Sequence, residues 1–88
     1  LCAVAINNKK NITIKNGRLI GTPINNFLVC IENNAINIRL ENISIENAAH
    51  AVSCQNSSGI TIQDSVIKNC IANATATGLL TFSNSSII

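Results

Sequence analysis

The sequence predicts an all-β fold: a right-handed parallel β-helix, a solenoid of about three to four coils of 22–28 residues. Repetition is the first observation behind this. The hexapeptides Asn11-Ile-Thr-Ile-Lys-Asn16, Asn37-Ile-Arg-Leu-Glu-Asn42 and Gly59-Ile-Thr-Ile-Gln-Asp64 follow one pattern. Ser53-Cys-Gln-Asn-Ser-Ser58 likewise returns as Thr81-Phe-Ser-Asn-Ser-Ser86. Self-similarity at a period of about 20–50 residues marks a repeat architecture. Alternation is the second: apolar and polar residues trade places within each phrase, the period of a strand with one face in a core. Composition is the third. The chain is 47% hydrophobic but only 2% aromatic, and it lacks Trp, Tyr and Met. Ile and Asn dominate instead, which suits a thin tube of pleated strands with sharp corners. Right-handed winding follows from the strong bias of parallel crossover connections.

The 88 residues make a single solenoid domain or part of one, with coils over about 1–26, 27–49, 50–77 and 78–88. Each coil is expected to hold three short strands. The first stacks Ala3/Ala5, Val29/Ile31, Val52/Cys54 and Leu80/Phe82 as successive inward pairs. The second stacks Ile12/Ile38/Ile60 and Ile14/Leu40/Ile62, and the third stacks Leu19/Ile45/Ile67. This register steps by 26 residues from Ile12 to Ile38, by 22 from Ile38 to Ile60 and by 28 from Val52 to Leu80. The last step treats Cys70 to Thr77 as an inserted loop, with the fourth coil opening near Gly78. Neighbouring coils would lie ~4.8 Å apart, so like residues touch like residues along the axis.

Corners come next. Asn7-Asn8, Asn33-Asn34, Asn56-Ser57 and Asn84-Ser85 separate the first strand from the second, and Asn16, Asn42 and Asp64 separate the second from the third. Asn accepts the left-handed backbone that a tight corner needs. Stacked amides can also donate to and accept from one another, so Asn16, Asn42, Asp64, Asn33, Asn56 and Asn84 are the expected rungs of an asparagine ladder. Asp64 differs from the rest. A carboxylate accepts but cannot donate, so it should meet main-chain N–H groups or a cation.

The net charge of +2 is too small and too dispersed for a nucleic-acid surface. No apolar run approaches the ~20 residues of a membrane-spanning helix. Cys2, Cys30, Cys54 and Cys70 lack the spacing of a metal site or of a compact disulfide framework. Buried free thiols are the expected state, with a disulfide as the alternative. Neither end shows a polar cap, so the chain is expected to continue into further coils or to self-associate through open edges.

The repeated phrases, together with Phe82-Ser-Asn-Ser-Ser86, resemble the coil repeats of the pectin-lyase-like superfamily. That resemblance covers almost the whole chain and implies a secreted or cell-surface protein connected with carbohydrate. Hydrolases with this fold use paired acids, and some lyases hold calcium in acidic clusters. Only Glu32, Glu41, Glu46 and Asp64 are available here. Glu41 should stack between Lys15 and Gln63, and Glu46 between Ile20 and Lys68, each paired with a lysine. Glu41 and Asp64 are the acids expected to approach each other, and hence the candidates for a catalytic pair or a calcium site. No other cofactor is expected. His50-Ala-Val-Ser53 is similar to the His-Gly-x-Ser run of polygalacturonases, with Ala51 in the glycine position. Arg39, outward between Thr13 and Thr61, is a candidate contact for an acidic sugar. Lys9, Lys10, Lys15 and Arg18 extend that basic side. Sequons occur at Asn11, Asn42, Asn56, Asn73 and Asn84, of which Asn73 is the expected accessible one.

The functional expectation is a non-catalytic β-helix segment of a polysaccharide-directed or surface protein, with acidic polysaccharide as the expected partner. A structural or adhesive stalk is one alternative. A piece of a lyase, hydrolase or epimerase with its active site outside these coils is the other.

Overall fold

The computed structural model describes residues 2–22, 27–76 and 80–88. Among them every regular element is a strand, and the strands pair in parallel from coil to coil as a β-solenoid of about three turns. On the first side β1 (Cys2–Asn7), β3 (Phe27–Glu32), β5 (His50–Cys54) and β8 (Ala72–Ala76) form a four-stranded sheet in that order. The second and third sides share one sheet. Here β2 (Lys10–Ile20) and β4 (Ile36–Glu46) run through both sides as single 11-residue strands. Above them β6 (Ser58–Gln63) pairs with the first half of β4, and β7 (Val66–Lys68) pairs with its second half. Finally β9 (Leu80–Ser83) lies on β6, and β10 (Ser86–Ile87) lies on β7.

Vertical files of aliphatic side chains fill the interior. Ile12, Ile38, Ile60 and Leu80 make one file, and Ile14, Leu40, Ile62 and Phe82 a second. Leu19, Ile45, Ile67 and Ile87 make a third. The middle coils close the tube most tightly, with Ile31 and Ile38 both at 0% exposure. Coils at either end leave Ile12, Ile14, Leu19 and Leu80 only partly covered, and Phe82 and Ile87 at the top of their files exposed. β-Branched residues suit this arrangement, because each fits the pleat and touches its equivalent above and below.

Two parts of the expected register are corrected. In the first coil Val4 and Ile6, not Ala3 and Ala5, lie under Val29 and Ile31. Ala3 and Ala5 are exposed. The step is 25 residues on this side and 26 on the next, so one phase cannot serve both. In the fourth coil Leu80 and Phe82 stack on Ile60 and Ile62, not on Val52 and Cys54. The first strand of that coil is β8, within the segment expected to be a loop, and Ala74 and Ala76 cover Val52 and Cys54. The fourth coil therefore opens at Ala72, not near Gly78, and Gly78 itself lies outside the described residues. A third departure concerns β3 and β5. Leu28, Val29, Cys30 and Ile31 are buried in succession, as are Ala51, Val52, Ser53 and Cys54. Both faces of these strands are covered, the condition under which a parallel strand reads as a continuous apolar run.

Left-handed corners are made almost wholly by Asn. Among the described residues, Asp64 is the one exception in the twelve non-glycine residues with positive φ. The corner between the second and third sides carries Asn16, Asn42, Asp64 and Asn84, with φ between 49° and 61°. Asn42 Nδ2 donates to Asn16 Oδ1 at 3.0 Å, and Asn84 Nδ2 donates to Asp64 Oδ1 at 2.7 Å. Asn84 thus belongs to this corner rather than to the column of Asn33 and Asn56. Two further stacks were not anticipated: Asn37 Nδ2 donates to Asn11 Oδ1 at 2.8 Å, and Asn69 Nδ2 to Asn47 Oδ1 at 2.7 Å.

Gly59 (φ +69°) follows Asn11 and Asn37 in register at the start of the second side. A Cβ there would lie 3.2 Å from the Asn37 nitrogen and 3.4 Å from its Cα. Gly59→Ala is expected to cost about 1–2 kcal/mol, the penalty for a Cβ in this conformation. Gly59→Asn should cost less, because Asn already holds the two positions below. Urea midpoints of the two variants decide it, and equal losses would argue against the corner account.

Candidate functional site

The outer face of the second side places Arg39 between Thr13 and Thr61, as expected from the alternation. Its guanidinium is occupied. Nε donates to Glu41 Oε2 at 2.8 Å on the same strand, and an Nη donates to Gln63 Oε1 at 2.6 Å on the next coil. Glu41 does stack between Lys15 and Gln63, but its ion-pair partner is Arg39 rather than the lysine. Glu46 stacks between Ile20 and Lys68, and again the partner is an arginine. Arg18 reaches it diagonally, with Nε 2.8 Å from Oε2 and an Nη 3.2 Å from Oε1. A forked guanidinium can bridge such a diagonal while meeting both carboxylate oxygens.

The hydrogen bonds from Arg18 and then from the Ser44 hydroxyl hold the Glu46 carboxyl below its ordinary range. A lowered folded-state value means that this contribution is present above the unfolded carboxylate range. It is lost as pH falls through the folded value. Glu46→Gln should therefore flatten the acid limb of the stability profile while leaving the alkaline limb unchanged. Thermal midpoints between pH 6 and 2 measure it, and an unaltered acid limb would count against the Arg18–Glu46 pair.

His50 lies in register on Phe27, and the rings stack with centroids 4.2 Å apart and planes 14° from parallel. This places it on the first side, away from the Arg39 cluster. Asp64 accepts from Asn84 and, at 3.5 Å, from Gln63 Nε2. No group of three or more His, Cys, Asp or Glu side chains is arranged to hold a metal among the described residues. Nor, among them, is any helix long and apolar enough to cross a membrane.

Two cysteines depart from the expected free state. Cys2 and Cys30 form a disulfide, with Cα atoms 6.0 Å apart, that ties the first coil to the second. Cys54 and Cys70 are free. Burial pushes the Cys54 thiol up to about 11, which keeps it protonated and unreactive at neutral pH. Of the sequons, Asn42 and Asn84 have their amide nitrogens engaged in the ladder. Asn73 falls within β8 rather than in a loop.

Serine supplies an interaction that the sequence reading missed. Ser65 Oγ donates to the Gln63 carbonyl at 2.8 Å and accepts the Ile43 N–H of the coil below at 3.1 Å. Ser85 does the same for Ser65 N–H, and Ser57 for Ala35 N–H. The signal was visible as Asn56-Ser57, Asp64-Ser65 and Asn84-Ser85. A hydroxyl immediately after a left-handed Asx residue can turn back to a carbonyl and still accept from a neighbouring coil.

An open hollow follows the second corner. It is an open groove of about 640 Å3 whose lining includes Asn16, Asn42, Asp64 and Asn84 together with Arg18 and Ser44. Ile43 and Ser65 contribute to its lining. The chain matches no protein-family model, and no curated protein matches its sequence.

Proposed function

We propose that this chain is a non-catalytic β-solenoid segment of a polysaccharide-directed or surface protein. One observation carries the reading: the candidate side chains Arg39, Glu41 and His50 are each engaged by a neighbour. Arg39 is held by Glu41 and Gln63, Glu46 by Arg18 and Ser44, and His50 by Phe27. The resemblance of its coils to pectin-lyase-like repeats supports a connection with glycans, and the Cys2–Cys30 disulfide suits an oxidising, extracellular setting.

A glycan array probed with the labelled chain tests this, alongside incubation with polygalacturonate and alginate with and without calcium. Binding without depolymerisation is the expected result. Absence of binding to every glycan would favour a purely structural stalk, and release of unsaturated or reducing ends would overturn the non-catalytic reading.

A further inference from the structure

We infer that copies of this chain stack head to tail, the upper face of the fourth coil receiving the lower face of the first coil of a second copy. This interface is separate from the glycan-directed reading and does not depend on it.

The two faces are unpartnered in the same way. β8, β9 and β10 end their sheets at the top, and β1 and β2 end them at the bottom, so each face presents a row of unpaired N–H and C=O groups. The aliphatic files stop there with their side chains uncovered. Leu80 is half-buried and Phe82 and Ile87 exposed at the top, while Ile12, Ile14 and Leu19 are only partly buried at the bottom.

The occupant is identified by a match of the chain with itself. Leu80, Phe82, Asn84, Ile87 and Ile88 repeat the spacing of Ile12, Ile14, Asn16, Leu19 and Ile20. A second copy set one coil above therefore continues each of these columns without a shift in register. Its β2, a single 11-residue strand, spans β9 and β10 together, as β4 spans β6 and β7.

An outward column points the same way. Ile20 lies under Glu46 and Glu46 under Lys68, and Ile88 follows the Ile87–Ile67 pair to complete the column above. Its middle is charged, as suits a solvated face. Its two ends are isoleucines, 56% exposed at Ile20 and 74% at Ile88. Stacking brings Ile88 of one copy against Ile20 of the next and removes both from water.

The ladder sets the orientation. At the second corner Asn42 Nδ2 donates to Asn16 Oδ1, and Asn84 Nδ2 donates to Asp64 Oδ1, so each rung runs from the later coil to the earlier. The top thus offers an amide oxygen, Asn84 Oδ1, and the bottom an amide N–H, Asn16 Nδ2. Joining top to bottom makes one more rung in the same sense and keeps every strand pair parallel. Two tops would set oxygen against oxygen. A head-to-tail interface of this kind does not close on itself, so its product is an open filament.

The test is sedimentation velocity of the 88-residue chain across a dilution series. Average mass should rise with concentration without a plateau. Ile20→Lys combined with Ile88→Lys sets like charges across the joint and should weaken association about tenfold or more. Ile20→Lys combined with Ile88→Glu sets opposite charges there, alternating with Glu46 and Lys68, and should restore association in a salt-sensitive way. Both positions are exposed, so single-chain urea midpoints in dilute solution should match across the three proteins, which separates a lost interface from a lost fold. A chain that stays monomeric at every concentration, a dimer that grows no further, or equal association of the two double variants overturns the proposal.

Discussion

Ile38→Ala is expected to lower the unfolding free energy by about 2–5 kcal/mol, the range for emptying a buried aliphatic site. Ile38 has no exposed surface and sits mid-file between Ile12 and Ile60. Neighbouring coils cannot collapse into the hole, because their strands are already paired at fixed spacing. A chain of this length has roughly 4–13 kcal/mol of stability at most typical values per residue, so the change removes a large part of it. Ile20→Ala, at a side chain 56% exposed, should change little. Urea unfolding of the two variants gives the comparison. Similar losses would mean that the Ile38 file is not the dry interior described.

Removing the Cys2–Cys30 disulfide is the second large effect. Its sequence separation of 28 corresponds, in the chain-entropy treatment, to about 3–4 kcal/mol of constraint on the unfolded ensemble. The cross-link matters beyond that figure because it secures the first coil, whose Val4, Ile12, Ile14 and Leu19 are only partly buried. Cys2→Ser with Cys30→Ser should lower the urea midpoint, and added reductant should lower that of the natural chain by the same amount. The variant should not respond to reductant. A Cys70→Ser substitution should lower the midpoint far less, since Cys70 is only partly buried against the core and a serine hydroxyl can keep its bond to the Lys68 carbonyl. Unchanged stability on reduction would remove the disulfide from the account.

The second and third sides were legible in the sequence because their isoleucines recur without insertion: Ile12/Ile38/Ile60, Ile14/Leu40/Ile62 and Leu19/Ile45/Ile67 all stack as read. The fourth coil was misread for a chemical reason. Both corners use a left-handed Asx residue, followed by serine in the later coils, so Phe82-Ser-Asn-Ser matches Ile62-Gln-Asp-Ser as well as Cys54-Gln-Asn-Ser. Text of that kind cannot tell one corner from the other. The strand Ala72–Ala76 is built of Ala, Asn and Thr, lacks bulky aliphatics and so reads as a loop. It becomes a strand because β5 offers a paired edge below it.

Site chemistry was less legible. Glu41 and Glu46 occupy the expected register, but arginine side chains two positions along the strand, Arg39 and Arg18, reach them in place of the lysines directly opposite. Column alignment finds the directly facing residue and misses a long side chain's diagonal reach. Spacing also carried no information about Cys2 and Cys30, which meet only once the first coil has wound onto the second. Asp64 was legible only as a break in the text: a carboxylate among amides is visible there, but its partners are the side-chain amides of Asn84 and Gln63 rather than the main-chain N–H groups or cation expected.

The most direct test of the stacked-file architecture is a methyl NOE spectrum of the chain with Ile, Leu and Val methyls labelled. Cross-peaks should link Ile12 to Ile38, Ile38 to Ile60 and Ile60 to Leu80 in sequence. Absence of the Ile38–Ile60 peak, or a Leu80 methyl that reports Val52 in place of Ile60, would contradict the winding described.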